Sequence, residues 1–159
     1  MAVIVNGDSG QVSGAVGIAV SRYNDNITSK LLQGAIATLS SHGIAESKII
    51  VVWAPGAWEL PLLCQDLIAQ PQISAVIGLG CVIRGETTHD QHINRAVSMA
   101  MMDLSLKHSK PVAFGLLTCN TLEQAIHRSG GRVGNKGDEA AGAIIEMLKV
   151  RSQMAQSVI

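Results

Sequence analysis

Two patterns of apolar and polar positions alternate along the 159 residues. Short runs in which nearly every residue is apolar give way to longer stretches where apolar residues return every three or four positions. The first pattern is that of a strand buried on both faces of a parallel sheet, the second that of an amphipathic helix. Ala15 to Val20 is the first such strand. Asn26 caps a helix that carries Ile27, Leu31, Ala35 and Leu39 on one face, with Gly43 as its stop. Ile49 to Trp53 is the second strand, Pro55-Gly56 turns the chain, and Glu59 with Pro61 suits the first turn of a helix reaching about Ala69. Ala75 to Ile83 is the third strand, interrupted by Arg84, Gly85 and Glu86. Thr88 with Gln91 forms a capping box, so a helix begins at His89. Its apolar stripe is Ile93, Ala96, Val97, Ala100, Met101 and Leu104, and it ends near His108. Pro111 opens a fourth strand, Val112 to Leu117, after which Asn120 and Thr121 cap a short helix through Arg128. The glycine-rich SGGRVGNKG precedes a last helix with Ala141, Ile144, Ile145 and Leu148 on one face.

Strands that alternate with helices, with room for a crossover between each pair, predict a single-domain, three-layer α/β/α sandwich. Its four-stranded parallel sheet carries helices on both faces. Residues 1–14, with the apolar run Ala2–Val5, form an N-terminal arm that is either disordered or a strand seeking a sheet edge. Residues 15–159 form the domain. Such sheets bind ligands beyond the carboxyl ends of their strands. Arg22-Tyr23, Trp58-Glu59, Arg84 to His89 and Thr118 to Asn120 all fall there, so four loops converge on one edge.

Composition narrows the partners. Apolar residues make up 47% of the chain, charged residues only 15%, and the formal net charge is zero, which argues against nucleic acid as a partner. So little charge on a chain this size predicts extensive surface buried against other subunits. No apolar run approaches membrane-spanning length and the first residues lack a signal-peptide pattern, so a cytoplasmic location is expected. The three cysteines, Cys64, Cys81 and Cys119, have no metal-site spacing and read as reduced core thiols.

Chemistry concentrates at His89. An imidazole in the first turn of a helix lies beside free backbone N–H groups and the positive end of the helix macrodipole, where an anion is favoured. His92 follows one turn later, but no third metal ligand is evident. His42, His108 and His127 lie near helix C-termini and are expected at the surface. Tyr23 and Trp58 lie in loops, where their rings either stack on a planar ligand or simply pack. Phe114, in mid-strand, reads as core. The SGGRVGNKG loop lacks the Gly-Lys-Ser/Thr ending of a P-loop, and an anion site and an interface loop are equally consistent with it.

PGAWELP, GLGCVIRGETTH, FGLLT, EQAIHRSG and GNKGDEAA occur in order between about Val16 and Val150. Together they resemble the 6,7-dimethyl-8-ribityllumazine synthase family of riboflavin biosynthesis. The resemblance implies a flavodoxin-like sheet, a transferase, and no metal or organic cofactor. The reaction would condense 5-amino-6-ribitylamino-uracil with 3,4-dihydroxy-2-butanone 4-phosphate, giving the lumazine, phosphate and water. It implies a homopentamer with sites between subunits, an N-terminal strand added to a neighbour's sheet, and riboflavin synthase as a protein partner. The uninterrupted G-x-x-G-N-K-G loop accompanies icosahedral 60-mers of twelve pentamers.

Carried over by position, His89 is the proton-transfer residue and Tyr23 the aromatic that stacks on the pyrimidine. Ala57, Trp58 and Glu59 hold the ribityl chain and ring edge, and Val82 and Ile83 line the pyrimidine pocket. Glu86 and Thr87 lie where backbone groups bind the phosphate. Phe114, Arg128 and Lys136 come from the adjacent subunit, Arg128 pairing with the phosphate. The chain departs from the family in Asp90, where an aromatic residue usually follows the histidine, in Glu86, where small residues are common, and in Tyr23, usually Phe or Trp. A flavin- or lumazine-binding protein and a shell-forming homologue with weak catalysis are the alternative classes.

Overall fold

The computed structural model describes residues 1–157. It contains the elements β1 (Ala15–Ser21), α1 (Asp25–Ser41), β2 (Ile49–Ala54), α2 (Leu60–Ile68), β3 (Ile73–Ile83), α3 (His89–His108), β4 (Val112–Cys119), α4 (Leu122–His127), β5 (Ser129–Gly131), β6 (Gly134–Asn135) and α5 (Lys136–Ser157). The four long strands form one parallel sheet in the order β2-β1-β3-β4. The chain steps from β1 to β2 in one direction and then returns past β1 to β3 and β4. The helices accordingly divide between the two faces, as right-handed crossovers require.

Side chains alternate across the sheet beyond an irregularity at the start of β3, where Ala15 pairs with Ile73 and Val16 with Ala75. Val16, Ile18 and Val20 of β1 join Ala75, Ile77 and Leu79 of β3 in a core roofed by α1 and α5. Ala19, Val76 and Val82 face the other way, into a core with Leu60, Cys64 and Leu67 of α2 and Val97, Met101 and Leu104 of α3. All seven residues of β1 are buried. On that second face Gly78 lets α3 approach closely, since a Cβ there would collide with the Met101 side chain.

Three local expectations are revised, at Asn26, Thr88 and Phe114, and the open glycine-rich loop takes a definite form. The cap of α1 is Asn24 rather than Asn26: Asn24 is left-handed (φ 63°), a conformation asparagine tolerates, and its carbonyl accepts the Ile27 and Thr28 N–H groups. Thr88 precedes α3 but makes no side-chain cap, because its near-helical backbone (φ −82°, ψ 14°) does not present the hydroxyl to the turn; Thr87 Oγ1 accepts the His89 N–H instead, at 3.4 Å. The SGGRVGNKG loop is a small antiparallel hairpin, β5–β6, and Asn135 Oδ1 caps α5 through the Gly137 N–H at 2.8 Å. Phe114, expected in the core, is 38% exposed, because β4 is an edge strand and the helices leave Phe114 and Thr118 uncovered. The short helix α4 follows expectation: Thr121 Oγ1 accepts the Gln124 N–H.

Residues 1–6 contain no strand in the single chain, and Val3 and Ile4 are exposed. The segment after them runs along α5: the Gly7 N–H donates to Gln153 Oε1 at 2.7 Å and the Gln11 N–H to Ser152 Oγ at 3.3 Å. Val12 packs on the core. No helix among the described residues is long and apolar enough to cross a membrane.

The contact of α1 with α5 depends on Gly137, where a Cβ would run into the backbone carbonyl of Leu31. Backbone cannot give way as a flexible side chain can, so Gly137→Ala is expected to lower stability by about 3 kcal/mol. Gly142, in the middle of α5 with open space around it, is the internal control. Gly142→Ala should raise stability by about 0.5–1 kcal/mol through the helix preference of alanine. Urea midpoints of the two variants, read against the parent chain, measure both effects.

Candidate active site

The carboxyl ends of the strands are tied to one another by hydrogen bonds beyond the sheet ladder. The Arg22 N–H donates to Ala54 O at 2.8 Å and the Tyr23 N–H to Pro55 O at 3.1 Å, joining the ends of β1 and β2. Asn24 Nδ2 donates to Cys81 O at 2.9 Å, joining the same loop to β3. The Arg84 N–H donates to Cys119 O at 2.8 Å, joining β3 to β4. The loops that carry the polar and aromatic residues are thereby held at fixed distances from one another.

Two clefts open along this edge. The first, of about 450 Å³, is lined by Tyr23, Ala57, Trp58, Glu59, Val82, Ile83, Thr87 and His89, with Gly56, Cys81, Gly85, Asp90 and Ile93. Of the residues given a binding or catalytic role on this side, only Glu86 is not part of the lining; like Arg22, Arg84 and Thr88 of the same edge, it is exposed beside the cleft. Tyr23 and Trp58 are 73% and 59% exposed, so neither ring is used for internal packing. Glu59 Oε2 accepts the Gly56 N–H at 3.1 Å, which closes the turn that carries Ala57 and Trp58. His89 is the first residue of α3 and is exposed in the cleft. The switch of strand order beside β1 places this cleft where open α/β sheets bind ligands.

The second cleft, of about 520 Å³, lies at β4 and α4. Phe114, Leu116, Leu117, Thr118, Cys119, Gln124, His127, Arg128, Val133 and Lys136 line it. Arg128 closes α4: its N–H donates to Gln124 O and Ala125 O, and its own carbonyl accepts the Lys136 N–H at 2.9 Å. The guanidinium therefore leaves a backbone fixed from both sides. Lys136 Nζ lies 3.2 Å from Glu139 Oε2, a surface pair that opposes little if an anion competes for the ammonium. His127 is half-buried, 3.5 Å from Glu123, and so belongs to this cleft rather than to open surface.

The structure thus gathers eight of the sequence-derived residues into one cleft and Phe114, Arg128 and Lys136 into another, with no lining residue in common. Gln124 carries no site signal in the sequence, where its position marks it as a helix-start residue, and only the lining reveals it; Thr118, already placed at the ligand edge, and Asp90, beside the histidine, line the clefts too. Among the described residues no group of three or more His, Cys, Asp or Glu is placed to hold a metal ion.

All three cysteines are free and buried. Burial pushes the Cys64 thiol from an ordinary 9.0 up to about 12. Burial, and then the neighbouring Cys119, push Cys81 likewise up to about 12. Cys119 is also raised by burial, partly offset by the positive charge of Arg128. Although Cys81 and Cys119 line the two clefts, neither is a thiolate nucleophile at neutral pH.

A family model described as 6,7-dimethyl-8-ribityllumazine synthase matches residues 13–152. A protein of Rhodopirellula baltica named 6,7-dimethyl-8-ribityllumazine synthase is 51% identical over 151 residues, which cover 94% of this chain and 97% of that one.

The buried thiols also fix an alkaline limit. The folded chain keeps their protons to higher pH than the unfolded chain, so unfolding releases protons once the pH exceeds the ordinary thiol value of 9.0. Their contribution is complete below that value and is lost progressively as the pH rises toward 12. Urea midpoints should therefore fall between these limits, and Cys64→Ala should make the fall shallower, though it lowers stability at neutral pH by leaving a small cavity.

Proposed function

The chain belongs to the 6,7-dimethyl-8-ribityllumazine synthase family, and from that premise we propose how its residues carry out the reaction. The enzyme is a transferase of riboflavin biosynthesis. It condenses 5-amino-6-ribitylamino-uracil with 3,4-dihydroxy-2-butanone 4-phosphate, and 6,7-dimethyl-8-ribityllumazine, phosphate and water leave. The observation that carries the assignment of roles is the division of the site residues between two clefts, an imidazole with two aromatic rings in one and a guanidinium with an ammonium in the other.

In this proposal the first cleft receives the amino-uracil. Tyr23 stacks on the pyrimidine, Val82 and Ile83 line its pocket, and Ala57, Trp58 and Glu59 hold the ribityl chain and ring edge. The turn Gly85–Thr87 presents its backbone to the butanone phosphate, with Glu86 contributing main-chain rather than carboxylate contacts. His89 moves the protons that imine formation, phosphate departure and ring closure require. The exposed N–H groups at the start of α3 favour the anionic leaving group beside it. Most of the acceleration comes from holding two reactants in register, an effect that can reach roughly 7–11 kcal/mol.

The two clefts share no lining residue, which supports a phosphate held by His89 of one copy of the chain and Arg128 of another. We place Phe114, Arg128 and Lys136 of one subunit at the first cleft of its neighbour, in a homopentamer. The exposed apolar side chains Met99, Met102 and Leu106 on α3 support such contacts. So does the unpaired apolar run Ala2–Val5, which fits as a strand added to a neighbour's sheet. The compact β5–β6 hairpin supports closure of twelve pentamers into an icosahedral shell. Riboflavin synthase, which consumes the product, is the proposed protein partner, in a cytoplasmic setting.

Incubation of the purified protein with both substrates, followed by lumazine absorbance, tests the reaction. His89→Ala should lower turnover about tenfold, below the ceiling for general acid–base catalysis, because the bound reactants still condense without it. Unchanged turnover in a correctly assembled variant would remove His89 from the mechanism. Mixed assemblies of His89→Ala and Arg128→Ala subunits should regain activity above the sum of the two separate variants, because some sites then hold an intact residue from each side. Sedimentation in neutral buffer decides the assembly: a lone pentamer refutes the shell, and a stable monomer refutes the shared site.

A further inference from the structure

The second cleft contains a neutral side chain whose orientation is fixed by the backbone. Gln124 is the third residue of α4, and its N–H donates to Thr121 Oγ1 at 3.2 Å. Its side-chain Oε1 accepts the Asn120 N–H at 2.7 Å. A backbone N–H can bond only to the oxygen of the amide, so this contact also settles which end of the amide is which. The free end is Nε2, which carries two N–H donors. Arg128 follows four residues later as the C-cap of the same helix, its N–H bonded to Gln124 O, and Gln124, Arg128 and Lys136 line one cleft. Among the described residues no carboxylate lines it, although Glu123 and Glu139 pair with His127 and Lys136 from outside; its polar side chains are those of Thr118, Gln124, His127, Arg128 and Lys136, with the Cys119 thiol. A donor-rich cavity of this kind suits a group with several acceptor oxygens and negative charge.

We propose that Gln124 is a phosphate-binding residue, its Nε2 donating to an oxygen of the organic phosphate that Arg128 holds. This rests on the reading of the cleft as the phosphate side of a shared site. Arg128 supplies charge and a planar fork that engages two oxygens. Gln124 reaches another from one helical turn away, with no titration and without the freedom of a lysine stem. The contact favours the phosphorylated ketone over an uncharged one of the same shape, and it anchors the group that must later depart.

Two variants separate this role from a structural one. Gln124→Glu keeps an oxygen for the Asn120 N–H, at a helix position where glutamate caps equally well, and replaces the Nε2 donor by a carboxylate oxygen. Gln124→Met removes both contacts. Inorganic phosphate is the probe, titrated into the assembled protein by calorimetry at high salt, where repulsion acting at a distance is screened. In Gln124→Glu, phosphate should bind roughly tenfold or more weakly, as expected for loss of a hydrogen bond to a charged group. The KM for the butanone phosphate should rise in parallel, with the KM for the amino-uracil and the melting temperature unchanged. Gln124→Met should weaken phosphate binding as well, and should also melt lower. Phosphate affinity in Gln124→Glu within twofold of the parent would overturn the proposal and leave Gln124 a helix cap. A rise of both KM values together would also overturn it. A parent protein that forms no lumazine, yet binds phosphate in a Gln124-dependent way, would refute the reaction and uphold this contact.

Discussion

The site depends on the hydrogen bonds that join the carboxyl ends of the four strands after the sheet ladder has ended. A parallel sheet leaves carbonyls and N–H groups unpaired where its strands stop, and buried groups of that kind need partners. Here they are used to position loops. Ala54 O, Cys81 O and Cys119 O each accept from the loop that leaves the adjacent strand, through the Arg22 N–H, the Asn24 side chain and the Arg84 N–H. Asn24 combines two properties that few residues share: it tolerates a left-handed backbone and carries an amide that reaches the next strand. Tyr23 is held beside it with its ring free. Loss of this lacing would leave every side chain present and none of them in register.

On a laced edge the loops that carry the site are tied to one another by hydrogen bonds before any ligand arrives. That suits a reaction in which two reactants must meet in one orientation and in which proton transfers are short. In the proposed mechanism a single imidazole is then enough on the first cleft. The thiols nearby are held protonated by burial, and Glu59 is engaged in closing its own turn. Cationic and amide groups lie elsewhere, around α4 and the β5–β6 hairpin, where Arg128 and Asn135 secure the backbone. In the proposed assembly, activity and association are therefore one property: a subunit brings one wall of its own site and one wall of its neighbour's.

The exposed apolar surface has the same origin. A chain with 15% charged residues keeps Met99, Met102, Leu106 and Phe114 at least one-third exposed when alone. Scattered apolar residues are ordinary on a protein surface, but an aromatic ring on an edge strand and a methionine-rich helix face are not. Phe114 is the clearest case. Its mid-strand position within an apolar run gave it the pattern of a core residue, and only the place of β4 at the edge of the sheet exposes it.

What the sequence determined follows from local periodicity. Apolar runs and three-to-four spacing located β1 to β4 and α1 to α5, and with them the α/β order and the edge on which ligands bind, because burial on two faces or on one stripe demands those patterns. The family motifs carried the reaction and named the site residues as a set. Tertiary structure alone decided how that set divides between two clefts, since cleft walls combine residues that are distant in sequence, such as Tyr23 with His89 or Phe114 with Lys136. It decided that Thr87 rather than Thr88 meets the start of α3, that the glycine-rich loop closes as a hairpin, and that the Gln124 amide points its nitrogen away from the backbone. Each is set by a dihedral angle or a hydrogen-bond partner, and neither is written in the spacing of apolar residues.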